Sequence, residues 1–325
     1  MFGRRKDNIL VVKTDTLAGF VAAEPVFEGI RQRHPDAVIS LLTTSSLQRI
    51  AKAAPYFDQV AALPNAENQV EKKAFSKQLK AAKFSRVFDL SANDSSKFVQ
   101  NALGPFGPKW FSVSPPARKP KTKSLAAMHP NPEKLCQASG VELPMRQPNF
   151  GWALASRKDS ANMQPSWFGI SGAYGLLAPG ADEARRWPAE QYGALARLCV
   201  QNGVMPVLIG GQGLHVFGDL ICEVTPEIVD LTGKTDHLQL AALAKEAQFF
   251  VTDAAEEAQL AAAVGAAGVL IKRRGEEALS PEGRHVITLT GQGDLSEVEA
   301  RFVWQALNNM GLINAGHPQT FAAAR

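Results

Sequence analysis

No run of about 18 apolar residues occurs in the sequence, so no membrane-spanning helix is predicted. Cysteine is scarce: Cys136, Cys199 and Cys222 are odd in number and far apart. They fit a reducing cytoplasm, build no disulfide framework and have no zinc-ligand spacing. The histidines form no His-Glu-x-x-His or paired pattern, so neither a metal site nor a resident cofactor is expected. A strong charge excess is missing too, since the net charge is only +4. That is too weak alone to argue for nucleic-acid binding, and no nucleic-acid partner is expected. The N-terminal MFGRRK is basic, but the apolar run behind it is too short for a signal-peptide core. The expected location is the cytoplasm, with peripheral contact at the inner face of the cytoplasmic membrane left open.

What is present is enough apolar residue, 45% against 20% charged, to bury a core. The 325 residues suggest two domains of about 150 each. Asn8 to Lys13 (NILVVK) is a β-branched run of the kind buried in a parallel sheet. Val21 to Arg33 has helical spacing, with Pro25 in the first turn, where proline is tolerated. Strands follow at Ala37 to Leu42, Gln59 to Leu63 and Arg86 to Leu90, with helices at Leu47 to Ala53 and Val70 to Ala82 between them. From Gly104 to Lys134 the text is rich in Pro, Gly, Lys and Arg and reads as one long loop. Its segment 104–131 is either a solvated basic surface or the contact for an anionic acceptor or a protein partner. Strands resume at Tyr174 to Ala178, Val204 to Ile209, Ile228 to Leu231, Gln248 to Val251 and Gly268 to Ile271, the last clear one. An amphipathic helix, Leu295 to Met310, follows. The alternation argues an α/β fold of two Rossmann-like, doubly wound parallel-sheet domains with a cleft between them. The expected divisions are 1–150, a linker at 151–166, 167–294, and a C-terminal helix and tail at 295–325.

Phe249 to Gly265 (FFVTDAAEEAQLAAAVG) organises the second half as a buried strand, a turn and a helix leaving the turn. Such a turn in an α/β protein commonly holds a phosphate. Here it offers Asp253, Glu256 and Glu257 instead of glycine and a hydroxyl.

Five separated phrases fall in one order: ILVVKTDTLAGFVAAEP, LAPGADEARRWPAEQYGALA, VLIGGQG, DLTGKT with LQLAALAKEA, and FFVTDAAEEAQLAAAVG. Together they resemble glycosyltransferase family 9, the bacterial heptosyltransferases, over about residues 8–310. The resemblance implies a GT-B architecture, with the acceptor on the first domain, an ADP-sugar on the second and a C-terminal helix crossing back to the first. It implies donor-side roles for Arg185 and Arg186, for Gly210 and Gly211, for Thr232, Gly233 and Lys234, and for Asp253. A guanidinium suits a diphosphate because it is always charged and bidentate. Each of these also has a plainer reading, as a solvated arginine or a common strand-to-helix turn.

Three departures stand against that pattern. Aligning on Pro25 puts Ala18 and Gly19 over the Gly-Asp whose Asp is the family's general base, and losing such a base lowers a rate about 10²- to 10⁴-fold. Asp15 and Glu24 are the carboxylates nearby, either as replacement bases or as a loop cap and a helix charge. Aligning back from LAAAVG puts Ala254, Ala255 and Glu256 over the family's Asp-Ser/Thr-Gly and Gln259 over its His. Glu256 and Glu257 add charge of the wrong sign. A carboxylate about 4 Å from a phosphate repels it by roughly 4 kcal/mol at an effective dielectric near 20, against about 0.3–1 kcal/mol of attraction from a helix N-terminus. That repulsion acts only if the glutamates face the ligand rather than solvent. Finally, Gly180-Ala181 replace small hydroxyl residues, and IKRRGEEALSPEG lacks the usual aromatic-Gly-Pro-Thr, leaving Lys272, Arg273 and Arg274 as candidate anion contacts.

Two functions remain. One is a family-9-like pseudoenzyme that has lost sugar transfer and serves as a binding or scaffold module. The other is a divergent, active inverting glycosyltransferase, moving a sugar from an ADP-sugar to a lipopolysaccharide-core-type or other cell-envelope acceptor, with Asp15 or Glu24 as base.

Overall fold

Buried β-branched runs and the helices between them build two parallel sheets, described here from a computed structural model over residues 7–65, 67–113, 132–155, 161–276, 281 and 285–313. The chain folds as two compact units, Met1–Pro148 and Asn149–Arg325. Among the described residues, no helix is long and apolar enough to cross a membrane.

The first unit runs β1 (Asn8–Val12), α1 (Leu17–Ala22), α2 (Glu24–Arg33), β2 (Val38–Thr43), α3 (Gln48–Ala53), β3 (Gln59–Ala62), α4 (Gln69–Ala82), β4 (Arg86–Asp89), α5 (Asp94–Leu103), β5 (Lys109–Ser112) and α6 (Pro132–Ser139). Its strands lie in the order β3-β2-β1-β4-β5. All pairs are parallel, with Val11 opposite Leu41 on one side and Phe88 on the other. The helix expected at Val21–Arg33 is two helices. Thr16 starts the first by accepting the Gly19 amide, and Pro25 opens the second, where its missing N–H breaks no bond. Helix α5, not anticipated from the sequence, is fixed by an Asn93/Ser96 capping box. The long loop expected from Gly104 must be corrected, because β5 lies inside it and pairs with β4. Residues 114–131, the larger part of the proposed basic partner surface, lie outside the described residues.

The second unit runs α7 (Trp152–Ala155), β6 (Tyr174–Ala178), α8 (Ala189–Gln201), β7 (Met205–Leu208), α9 (His215–Val224), β8 (Val229–Asp230), α10 (His237–Glu246), β9 (Phe249–Thr252), α11 (Glu256–Ala263), β10 (Gly268–Arg273), β11 (Val286–Gly291) and α12 (Ala300–Asn309). Its strand order is β11-β10-β9-β6-β7-β8, again all parallel. Gly268–Ile271 is therefore not the last strand, since β11 extends the sheet beyond it. Val303, Ala306 and Leu307 of α12 enter the same core as Leu177, Trp187 and Val269, within this unit.

Candidate functional site

In a doubly wound sheet, ligands sit beyond the strand C-termini where the strand order reverses direction. In the first unit that place lies between β1 and β4. There the buried Lys13 Nζ donates to Asp15 Oδ2 at 2.8 Å and to the Leu90 carbonyl at 3.2 Å. Burial lowers the Lys13 pKa, and the Asp15 carboxylate opposes that shift. The Thr14 amide donates to Ser91 Oγ at 2.7 Å, and Asn93 Nδ2 to Thr14 Oγ1 at 3.2 Å. Asp89 accepts from the Ser91 and Ala92 amides and from the Ser96 and Ser112 hydroxyls, which holds the β4 loop beneath.

Gly19, at the place of the family's base, has no room for a side chain. A Cβ there would lie 2.5 Å from Asp15 Oδ2 and 3.2 Å from Lys13 Nζ. The Asp15 carboxylate thus occupies the space a longer residue at 19 would need, and its Oδ1 is buried with no hydrogen-bond partner among the described residues. Glu24 is placed differently. It is fully buried and accepts from Arg146 Nη1 and Nη2 at 2.7 and 2.9 Å and from the Tyr56 hydroxyl. Burial and then Glu24 raise the Tyr56 pKa, so the phenol remains a donor. A carboxylate bound to three donors is poorly placed to take a substrate proton.

In the second unit the reversal lies between β6 and β9. Asp253 is 4% exposed, and its oxygens accept separately from the Gly180 and Trp187 amides, the two ends of the loop after β6. Burial pushes the Asp253 carboxyl up to about 6, with both amides opposing the shift. Arg186 also turns into this loop. Its Nε and Nη2 donate to the Gly180 and Ala181 carbonyls at 2.7 and 3.0 Å, and its guanidinium lies 4.4 Å from the Phe217 ring centroid. Arg185 Nε faces Glu276 Oε1 at 3.3 Å and Asp182 Oδ2 at 3.5 Å. Arg273 ties the same loop down by donating to the Ala184 carbonyl at 2.7 Å, while Arg274 donates to Gln292 at 2.9 Å. Lys272, on β10, is half-buried.

The turn into α11 is made by two alanines. Ala254 has φ +87°, and the Ala255 amide is taken by Thr252 Oγ1 at 2.9 Å. Glu256 and Glu257 are half-buried in the first turn of the helix. Burial raises the Glu257 pKa, its own backbone amide opposes this, and Glu256 adds to the rise. Gln259 is buried within α11.

The remaining donor-side candidates share one corner, after β7 and β8. The buried Thr232 donates to Asp230 Oδ1 at 2.8 Å and lies 3.1 Å from His215 Nδ1. Lys234 Nζ donates to the Asp230 carbonyl at 2.7 Å. The Gly233 amide donates to the Gly210 carbonyl at 2.8 Å, which brings the two glycine turns together. Gly233 has φ +66°, and a Cβ there would sit 2.6 Å from Gln212. Gly211, beside Gly210, is exposed. The fold thus gathers Arg185, Arg186 and Asp253 at one place and Gly210, Thr232, Gly233 and Lys234 at another. Sequence reasoning missed Lys13, His215 and Glu276. The Lys13-Thr14-Asp15 text at a strand end was a signal for the first; nothing local marked the other two.

The model of glycosyltransferase family 9 (heptosyltransferase) matches residues 109–269. No curated protein matches the sequence. Escherichia coli ADP-heptose lipopolysaccharide heptosyltransferase II is similar in structure, with 17% identity and a TM-score of 0.72 over 93% of this chain and 98% of that one. E. coli heptosyltransferase WaaC with ADP shares 17% identity and a TM-score of 0.71 over 93% of this chain and 99% of that one. A family 9 glycosyltransferase of Veillonella parvula shares 18% identity and a TM-score of 0.69 over 94% and 97%. At such identities the likeness establishes the fold, which is that of the GT-B heptosyltransferases.

Proposed function

We propose that this chain, which carries a glycosyltransferase family 9 domain, no longer transfers sugar and serves on the cytoplasmic side as a binding or scaffold module. The observation that carries this reading is that the chain's own carboxylates engage the donor groups at the ends of β6 and β9. Asp253 takes the Gly180 and Trp187 amides, Glu276 takes Arg185, and Glu256 and Glu257 sit at the start of α11. A diphosphate that reaches Arg185 must displace Glu276, and a carboxylate left at about 4 Å opposes it by roughly 4 kcal/mol at an effective dielectric near 20. Calorimetry with ADP and with an ADP-sugar should give no binding heat, and incubation with the sugar nucleotide should release no ADP. Micromolar affinity together with turnover would end this reading.

One observation favours a second reading, an active inverting transfer from an ADP-sugar to a lipopolysaccharide-core-type or other cell-envelope acceptor. The Asp15 carboxylate fills the space of a side chain at Gly19, and Lys13 fixes one of its oxygens while the other has no partner among the described residues. Asp15 would then accept the acceptor hydroxyl's proton in place of residue 19. On this reading Asp15→Ala abolishes product formation, about 10²- to 10⁴-fold, and an inert wild type discards it.

A further inference from the structure

The two units carry opposite charge. Residues 1–148 hold 22 Lys and Arg against 12 Asp and Glu, a net of +10, whereas residues 149–325 hold 13 against 19, a net of −6. The modest total hides this asymmetry, and part of the excess is concentrated on one helix. Lys72, Lys73, Lys77 and Lys80 of α4, with Ser76 and with Phe98 of α5, line an open groove of about 570 Å³. The lysines span about 12 Å of helix at 1.5 Å per residue. Positions 70, 73, 77 and 80 follow one stripe, which begins at Val70, 77% exposed. Opposite this stripe, Leu79 and Phe75 pack into the core beside β4.

Among the described residues none of these four ammonium groups has a carboxylate within ion-pair distance. Glu71 is engaged by Asn68 Nδ2 at 2.7 Å, and Asp94 by Lys97 at 2.8 Å. Like charges at i,i+3 and i,i+4, here 77/80 and 73/77, weaken a helix, so this face is unfavourable until an anion meets it. Lysines on flexible stems around an open groove suit a spread-out anionic surface better than one small phosphate, which is usually held by an arginine fork or backbone amides.

We propose that the lysine face of α4 docks the first unit onto an anionic lipid bilayer. The proposal does not depend on whether sugar transfer is retained. The full chain should co-sediment with phosphatidylcholine vesicles containing about 30% phosphatidylglycerol and not with phosphatidylcholine alone, and added salt should release it. Each lysine near such a surface contributes about 1 kcal/mol, or about 5-fold in affinity, so Lys73→Gln with Lys77→Gln should weaken binding about 30-fold. Arg33→Gln with Lys52→Gln removes the same charge from α2 and α3. Right-handed crossovers put those helices on the other face of the sheet, and this control should change binding by less than about 3-fold. No sedimentation with the anionic vesicles, or equal loss in both variants, overturns the proposal. Release by millimolar inorganic phosphate at constant ionic strength overturns it as well, because it points to a small-anion site.

Discussion

Asp253 and Ala254 are adjacent and do opposite things to stability. The Asp253 carboxylate joins the two ends of the 180–187 loop through the Gly180 and Trp187 amides. Asparagine has one acceptor oxygen, so Asp253→Asn leaves a buried N–H facing an amide NH₂. An unsatisfied buried donor costs about 1–3 kcal/mol, and urea unfolding should show a loss of that size; an unchanged midpoint would remove the loop-closing role. Burial holds the carboxyl up at about 6, above the value of about 3.9 for an unfolded Asp. The folded chain therefore binds the extra proton between those values. The group's contribution is fully present below about pH 4 and is lost as pH rises through about 6. The stability difference between wild type and Asp253→Asn should accordingly shrink from pH 4 toward pH 7, and a pH-independent difference would contradict the shift. Ala254, at φ +87°, sits where an L-residue is strained by about 1–2 kcal/mol and where Asp or Asn is better tolerated. Glycine relieves that strain but widens the unfolded ensemble by about 0.4–1 kcal/mol, so Ala254→Gly should stabilise by up to about 1.5 kcal/mol in the same assay.

At the scale of elements, the segment before Pro148 is held to α2 by Arg146. The fully buried Glu24 receives both Arg146 Nη atoms, and Glu28 accepts from Arg146 Nε at 2.9 Å. Arg146→Met strands a buried carboxylate, which typically costs about 3–5 kcal/mol, whereas removing the charge on both sides is far milder. Thermal unfolding should show Arg146→Met strongly destabilised and Glu24→Gln with Arg146→Met partly restored; equal stabilities would show that the pair is screened. None of this was legible from the text around Glu24, because its partner lies 122 residues away. Central strands were legible because β1, β6 and β9 are buried on both faces and read as unbroken apolar runs. Strands β5 and β11 were missed because they are edge strands with exposed positions, set among prolines, glycines and charges that also read as loop. The site divides the same way. The gathering of Thr232, Gly233 and Lys234 with Gly210 followed from strand-end turns, but the inward carboxylate of Asp253 depends on amides 66 and 73 residues away.

For the whole molecule, the two readings of function separate on one equilibrium quantity. A ligand at 100 times its dissociation constant stabilises the folded state it binds by about 2.7 kcal/mol. The unit that would hold the nucleotide spans 149–325, and for 150–250 residues each kcal/mol moves a melting temperature by about 2–4 °C. Millimolar ADP should then raise the melting temperature by roughly 5–10 °C if the crevice between β6 and β9 still accepts a diphosphate. Closure by the chain's own carboxylates predicts no shift. Glu276→Gln tests the cause, since it removes the carboxylate facing Arg185 at 3.3 Å and leaves the guanidinium in place. If Glu276 and its neighbours are what exclude the phosphates, ADP should begin to stabilise this variant while still leaving the wild type unmoved. A wild type already shifted by ADP would mean that Glu276 yields Arg185 to the ligand. The Asp15 carboxylate beside Gly19 would then be the group to test for turnover. If ADP shifts neither protein, Glu276 is not what excludes it, and the acidic turn at Glu256 and Glu257 becomes the next position to neutralise.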